Sequence, residues 1–81
     1  MKTNELLVVG KASFKSSKTG KDCYMLSVVH PDPNGGFRAD NSFVNQQLFI
    51  DIDCTTPVLC EASYAYGGAI SALKVIRKVE L

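Results

Sequence analysis

The run Pro31-Asp32-Pro33-Asn34-Gly35-Gly36 constrains this chain more than any other segment. Its two prolines fix φ and remove backbone donors, and Asn-Gly-Gly favours a turn. Neither a helix nor a central strand continues through it. Thr55-Thr56-Pro57 and Gly67-Gly68 interrupt the second half of the chain in the same way. The runs between these breaks are short. Most of them alternate apolar and polar residues with the period of two that marks a strand. The expected class is all-β.

Residues 5–15 read as the first strand, with Leu6, Val8, Ala12 and Phe14 on one side and Leu7, Val9, Lys11, Ser13 and Lys15 on the other. Gly10 lies between the halves, where a glycine signals a bulge or a bend. On this parity Phe14 belongs to the core beside Val8. A turn over 16–22 leads to a second strand over 23–30, apolar on both faces and therefore central. The polar stretch from 31 to about 45 reads as a long loop, or as a hairpin extension through Asn-Gly-Gly. Residues 46–53 read as the third strand, with Leu48, Ile50 and Ile52 opposite Gln47, Phe49, Asp51 and Asp53. Residues 58–66 and 70–81 supply the fourth and fifth. A helix over 61–81 is the rival reading, but Gly67-Gly68 and the β-branched Val75, Ile76 and Val79 favour strand. Five short strands with turn signals predict a small β-barrel.

With 81 residues the chain has room for one domain, and 46% hydrophobic residues exclude a disordered tail. Such a small domain buries a modest share of its surface, so a homodimer is expected. The net charge is only +1, but the positive charge is unevenly spread. Lys11, Lys15, Lys18 and Lys21 all precede Asp22, and Lys74, Arg77 and Lys78 form a second group. A nearly neutral protein can still present one basic face. No secretion signal or membrane-length apolar run occurs, and the cysteines are odd in number. A cytoplasmic protein with free thiols and no membrane contact is the expectation.

Three clusters carry candidate binding chemistry. The first is the lysine turn with Tyr24, where cations can track a sugar-phosphate backbone and a ring can stack on a base. Read structurally, the same lysines only blunt a sheet edge. Tyr64 and Tyr66 beside Gly67-Gly68 can stack on bases, carry a dimer contact, or pack across strands. Arg38, between Phe37 and Phe43, can pair with phosphate and stack. Cys23, His30, Cys54 and Cys60 lack the spacing of a zinc site. Asp51 and Asp53 have no basic partner nearby, and Gly20-Lys21 does not complete a phosphate-binding P-loop because residue 22 is aspartate. No enzymatic activity, metal or cofactor is expected.

The stretch Gly20-Lys21-Asp22-Cys23-Tyr24-Met25-Leu26 resembles the single-stranded DNA-binding proteins of filamentous phages and similar mobile elements. In them a Gly-Lys turn is followed by a tyrosine and, two residues on, a leucine. Here the tyrosine comes one residue later. Kept in register, that extra residue turns the ring to the other face. Phe14, Ser16-Ser17-Lys18 and the apolar-basic run Leu73–Leu81 also fit. The resemblance implies a five-stranded OB-like β-barrel with an extended basic hairpin. It also implies a homodimer that coats single-stranded DNA, with Lys18, Lys21, Tyr24, Leu26 and Lys78 lining the track.

The sequence thus predicts one single-stranded nucleic-acid-binding domain over 1–81. Its ligand is DNA or RNA, bound without sequence selectivity. Candidate contacts are Lys11, Lys15, Lys18, Lys21, Tyr24, Leu26, Arg38, Tyr64, Tyr66, Lys74 and Lys78. The alternative is a small β-barrel interaction or assembly subunit with no nucleic-acid role, in which Phe37, Phe43, Tyr64 and Tyr66 form a dry interface.

Overall fold

The computed structural model describes residues 4–80. Its elements are strand β1 (Glu5–Lys15), β2 (Asp22–Pro31), β3 (Phe37–Val44), helix α1 (Gln46–Asp51), β4 (Val58–Tyr64) and β5 (Ile70–Lys78). All pairings are antiparallel, in the order β3-β2-β1-β4-β5. The expected barrel does not close. The edge strands β3 and β5 approach one another but share no hydrogen-bonded ladder. No helix among the described residues is long and apolar enough to cross a membrane.

The register of β1 against β2 slips between Val8 and Gly10, so Val8 faces Val28 while Lys11 faces Leu26 and Phe14 faces Cys23. A one-residue bulge inverts the side-chain parity of everything beyond it. Leu6 and Val8 therefore share the inner face with Lys11, Ser13 and Lys15, and Phe14 joins Leu7 on the outer face. This corrects the expected core position of Phe14, which is 44% exposed. The glycine was a sound indicator of the bulge, but alternation cannot be carried across it.

Two further segments depart from expectation. Residues 46–53 do not form a strand; Gln46–Asp51 is helical. The Asn45 side chain caps it by accepting from the Leu48 N–H at 2.8 Å. Leu48 and Ile52, spaced by four, both turn toward the core, whereas Ile50 is 59% exposed. The fifth strand comes instead from Phe37–Val44, the polar segment after the breaker. The hairpin reading of that segment holds. Asp32 Oδ1 accepts from the Asn34 N–H at 2.8 Å. Gly35 and Gly36 take φ of +99° and +73°, which disfavour any residue with a Cβ.

The core lies on the inner face: Leu6, Val8, Leu26, Val28, Val58, Cys60, Ala62 and Ile70 from strands, with Ile52 at the end of α1. Burial pushes the Cys60 thiol up to about 11, so it stays neutral. Lys11 ties the helix to the sheet. Its Nζ donates to Phe49 O at 2.8 Å and Ile52 O at 2.9 Å. It also sits 4.7 Å from the centre of the Phe49 ring. These are the orphan carbonyls and the negative end of a helix terminus, where a cation is favoured.

Lys11→Met keeps the apolar stem and removes the ammonium. It should lower the unfolding free energy in urea by about 1–2 kcal/mol, while Lys15→Met should change it by less than about 0.5 kcal/mol. Equal losses would contradict the anchoring role of Lys11.

Candidate nucleic-acid interface

The outer face of β1, β2 and β3 presents two aromatic rings beside the lysine-bearing turn. Phe14 on β1 and Phe43 on β3 straddle β2, with centroids 6.2 Å apart and planes tilted by 59°. Phe43 is 58% exposed. It lies across from Met25, whose own outer-face position follows from the same parity as Cys23. Exposed rings in this geometry offer a π-face to a ligand without rearrangement of the core.

The turn joining β1 to β2 is ordered by its own hydrogen bonds. The Ser16 N–H donates to Lys21 O, and Ser16 O accepts from the Gly20 N–H, both at 2.9 Å. Ser16 Oγ accepts from the N–H groups of Lys18 and Thr19 at 3.3 and 3.4 Å. Gly20 takes φ of +70°, which closes the turn. Lys15, Lys18 and Lys21 are exposed and make no ion pair among the described residues. Their charges are available to an anion.

The other expected contacts are placed differently. Leu26 is 0% exposed in the core and offers nothing to a ligand, which corrects its expected place in a binding track. Tyr24 is half-buried on the inner face, its ring 5.0 Å from that of Phe49. It packs the helix against the sheet rather than standing free as a platform, because its parity matches Leu26 and Val28. Lys11 is engaged with the helix end, so it too is structural. Arg38 also points to the inner face, opposite His30, with Nε 3.7 Å from Asp32 Oδ2. His30 Nε2 lies 2.6 Å from Asp40 Oδ2 on the same side.

The two basic groups do not merge. Lys74 and Lys78 lie on the edge strand β5, which is separated from β1 by β4. Lys74 stands opposite Glu61, and Lys78 Nζ lies 3.3 Å from Asp53 Oδ2. The Asp53 carboxyl is held below the usual carboxylate range by the Thr55 N–H, then the Thr55 hydroxyl, then Lys78. Tyr64 is half-exposed, and Tyr66 is fully exposed in the β4–β5 turn. That turn lies beyond the Asn4 end of β1, since Ala62 N–H donates to Asn4 O, whereas the lysine turn follows its Lys15 end. Cys23, Cys54 and Cys60 are free thiols. No group of three or more His, Cys, Asp or Glu side chains among the described residues could hold a metal.

Comparison of the chain with protein-family models, curated proteins and solved structures found no match. The site is therefore defined by its own geometry. Phe43 is visible in the sequence only as a ring near Arg38, and Phe14 is assigned to the core because alternation is carried across the bulge. The one signal that points to Phe14 is Gly10, read as a parity switch.

Tyr24→Ala should reduce stability by about 1–3 kcal/mol, because it removes a half-buried ring from the helix contact. Phe43→Ala should cost less than about 1 kcal/mol. Urea titration of both variants checks this. A larger loss for Phe43→Ala would mean that its ring supports the fold rather than a ligand.

Proposed function

We propose that this chain binds single-stranded DNA without sequence selectivity, through the outer face of β1, β2 and β3. The observation that carries the reading is the exposed Phe14–Phe43 ring pair beside unpaired lysines in a self-ordered turn. Stacking on rings is tolerant of sequence because every base has a π-face, and lysines at a turn neutralise phosphates. The strand order, with α1 between β3 and β4, supports an OB-like architecture opened between β3 and β5. In such folds the face of strands 2 and 3 and the turns joining strands 1–2 and 4–5 bind oligonucleotides. Here those turns carry Lys18 and Lys21 on one side and Tyr66 on the other. Under this reading Phe14 and Phe43 replace Tyr24 as the stacking platform, and Lys18 and Lys21 form a basic hairpin, with Lys15 at the inner-face end of β1. Binding requires neither a cofactor nor a metal.

A second reading is self-association. It is favoured by Val75 and Ile76 on the edge strand β5, which are 53% and 43% exposed. Its signature is an oligomeric state insensitive to salt and to oligonucleotide.

Labelled oligo-dT should bind in low salt and dissociate as salt rises, with weaker binding to duplex. Removing Lys18 and Lys21 together should reduce the slope of log affinity against log salt by about 1.4, at about 0.7 per phosphate contact on a single strand. Phe14→Ala and Phe43→Ala should each weaken binding about five-fold or more. The absence of an anisotropy change with tens of micromolar protein would sink the reading.

A further inference from the structure

The outer face carries a second apolar site at its far end. A slot of about 430 Å³ is lined by Glu5, Leu7, Phe37, Leu59, Arg77 and Val79. Leu7 and Leu59 are cross-strand partners and form its floor. Arg77 stands next in the same row, opposite Leu59. Phe37 is 66% exposed and forms an aromatic wall. Arg77 is exposed and makes no ion pair among the described residues. Glu5 already has a partner within the protein, and Arg77 brings a guanidinium with no ion pair to the slot.

We infer that this slot is a second nucleotide station of the same binding face, taking a base against Phe37 and its phosphate at Arg77. The inference rests on the proposed single-stranded DNA reading and extends it. An apolar floor, a free ring and an unpaired guanidinium together match an aromatic base that carries an anion. Arg pairs with phosphate through its planar fork of donors, which makes the charge complementary to a nucleotide rather than to an apolar peptide. The slot is also continuous with the first station. Phe37, Ala39, Asn41 and Phe43 alternate along one face of β3, and their partners on β2 are Pro31, Val29, Ser27 and Met25. Between the stations lies a polar saddle, where Ser27 Oγ donates to Asn41 Oδ1 at 3.1 Å beside Gly10.

The spacing sets the length of ligand that can use both stations. β3 has 8 residues, so at about 3.3 Å per residue its two rings stand roughly 20 Å apart. A stacked strand advances about 3.4 Å per nucleotide, so about six steps, or about seven nucleotides, bridge the stations while three reach only one. That footprint lies within the range of about 4–16 nucleotides known for one OB-type module.

The test is an anisotropy series with labelled dT3, dT6, dT8 and dT12 at one low salt concentration, on wild type, Phe37→Ala, Arg77→Gln and Phe43→Ala. Melting curves confirm that each variant is folded, and sedimentation reports oligomeric state. Wild-type affinity should rise with length to about seven nucleotides beyond statistical gain and then level off. Phe37→Ala and Arg77→Gln should each weaken dT8 about five-fold or more and leave dT3 unchanged, whereas Phe43→Ala should weaken both. If wild type binds dT8 and both slot variants bind it equally tightly, the second station is overturned and the first reading stands. If Phe37→Ala changes the oligomeric state but not dT8 affinity, the slot seats a second copy of the chain and the inference is again overturned. If wild type binds no oligonucleotide of any length, both readings fall.

Discussion

A single bulge in β1, between Val8 and Gly10, decides what each face of this protein can do. With continuous alternation, Phe14 would follow Val8 into the interior and Lys11 would point outward. The extra residue exchanges them. Lys11 comes inside, where its ammonium meets the carbonyls of Phe49 and Ile52 and fixes the short helix against the sheet. Phe14 goes outside, where it meets Phe43 across β2. One backbone irregularity thus supplies both the anchor of the helix and half of the proposed stacking platform. Gly10 itself has no positive φ, and a Cβ there would meet its nearest neighbour, Ser27, at 3.9 Å. The bulge therefore rests on neither a backbone conformation nor a close approach that only glycine permits.

The division of labour between the faces follows from that exchange. The inner face is closed by α1, with Tyr24 against Phe49 and with Leu48 and Ile52 over the strand residues. An apolar inner layer of this size needs a cover, and a capped helix of 6 residues held by one lysine provides it. Among the described residues the outer face has no such cover. Its rings, polar saddle and slot are left to solvent or to a ligand. Stability and the proposed binding therefore draw on different side chains. This is why Tyr24, attractive as a platform beside the lysine turn, belongs to the fold, while Phe43 is left free of it. The open sheet leaves two edges, and charge on β5 at Lys74, Arg77 and Lys78 discourages further strand pairing there.

Much of this was legible in the residues, and the failures have identifiable physical causes. β1, β2, β4 and β5 were readable because each is a short alternating run between turn residues. The all-β sheet follows from the same punctuation, whereas the strand count of five agrees only because β3 replaces the strand expected over 46–53. Residues 46–53 misled because Leu48, Ile50 and Ile52 fit a period of two, while Leu48 and Ile52 alone fit a helical turn. The Asn45 cap decides between them, and local hydrogen bonding outweighs a short hydrophobic pattern. Residues 37–44 read only as a long loop or a hairpin extension, because an edge strand exposed on both sides carries little apolar alternation. The parity of β1 and the burial of Leu26 depend on register with β2, a pairing that one segment read alone does not contain. The lysine turn was visible as a charge cluster. Its ring partner Phe43 lies too far along the chain to be linked to it without the fold.

The most direct test of this account is amide chemical-shift mapping of the labelled protein during titration with dT8. The predicted shifts fall on Phe14, Cys23, Met25 and Phe43 of the outer face and on the turn from Ser16 to Lys21, extending to Phe37 and Arg77 where dT8 reaches the slot, with Val8, Leu26 and Ile52 of the core unmoved. Shifts centred on the inner-face helix and Tyr24, or none at all under low salt, would contradict the claim that the bulge builds a binding face on the outside of the sheet.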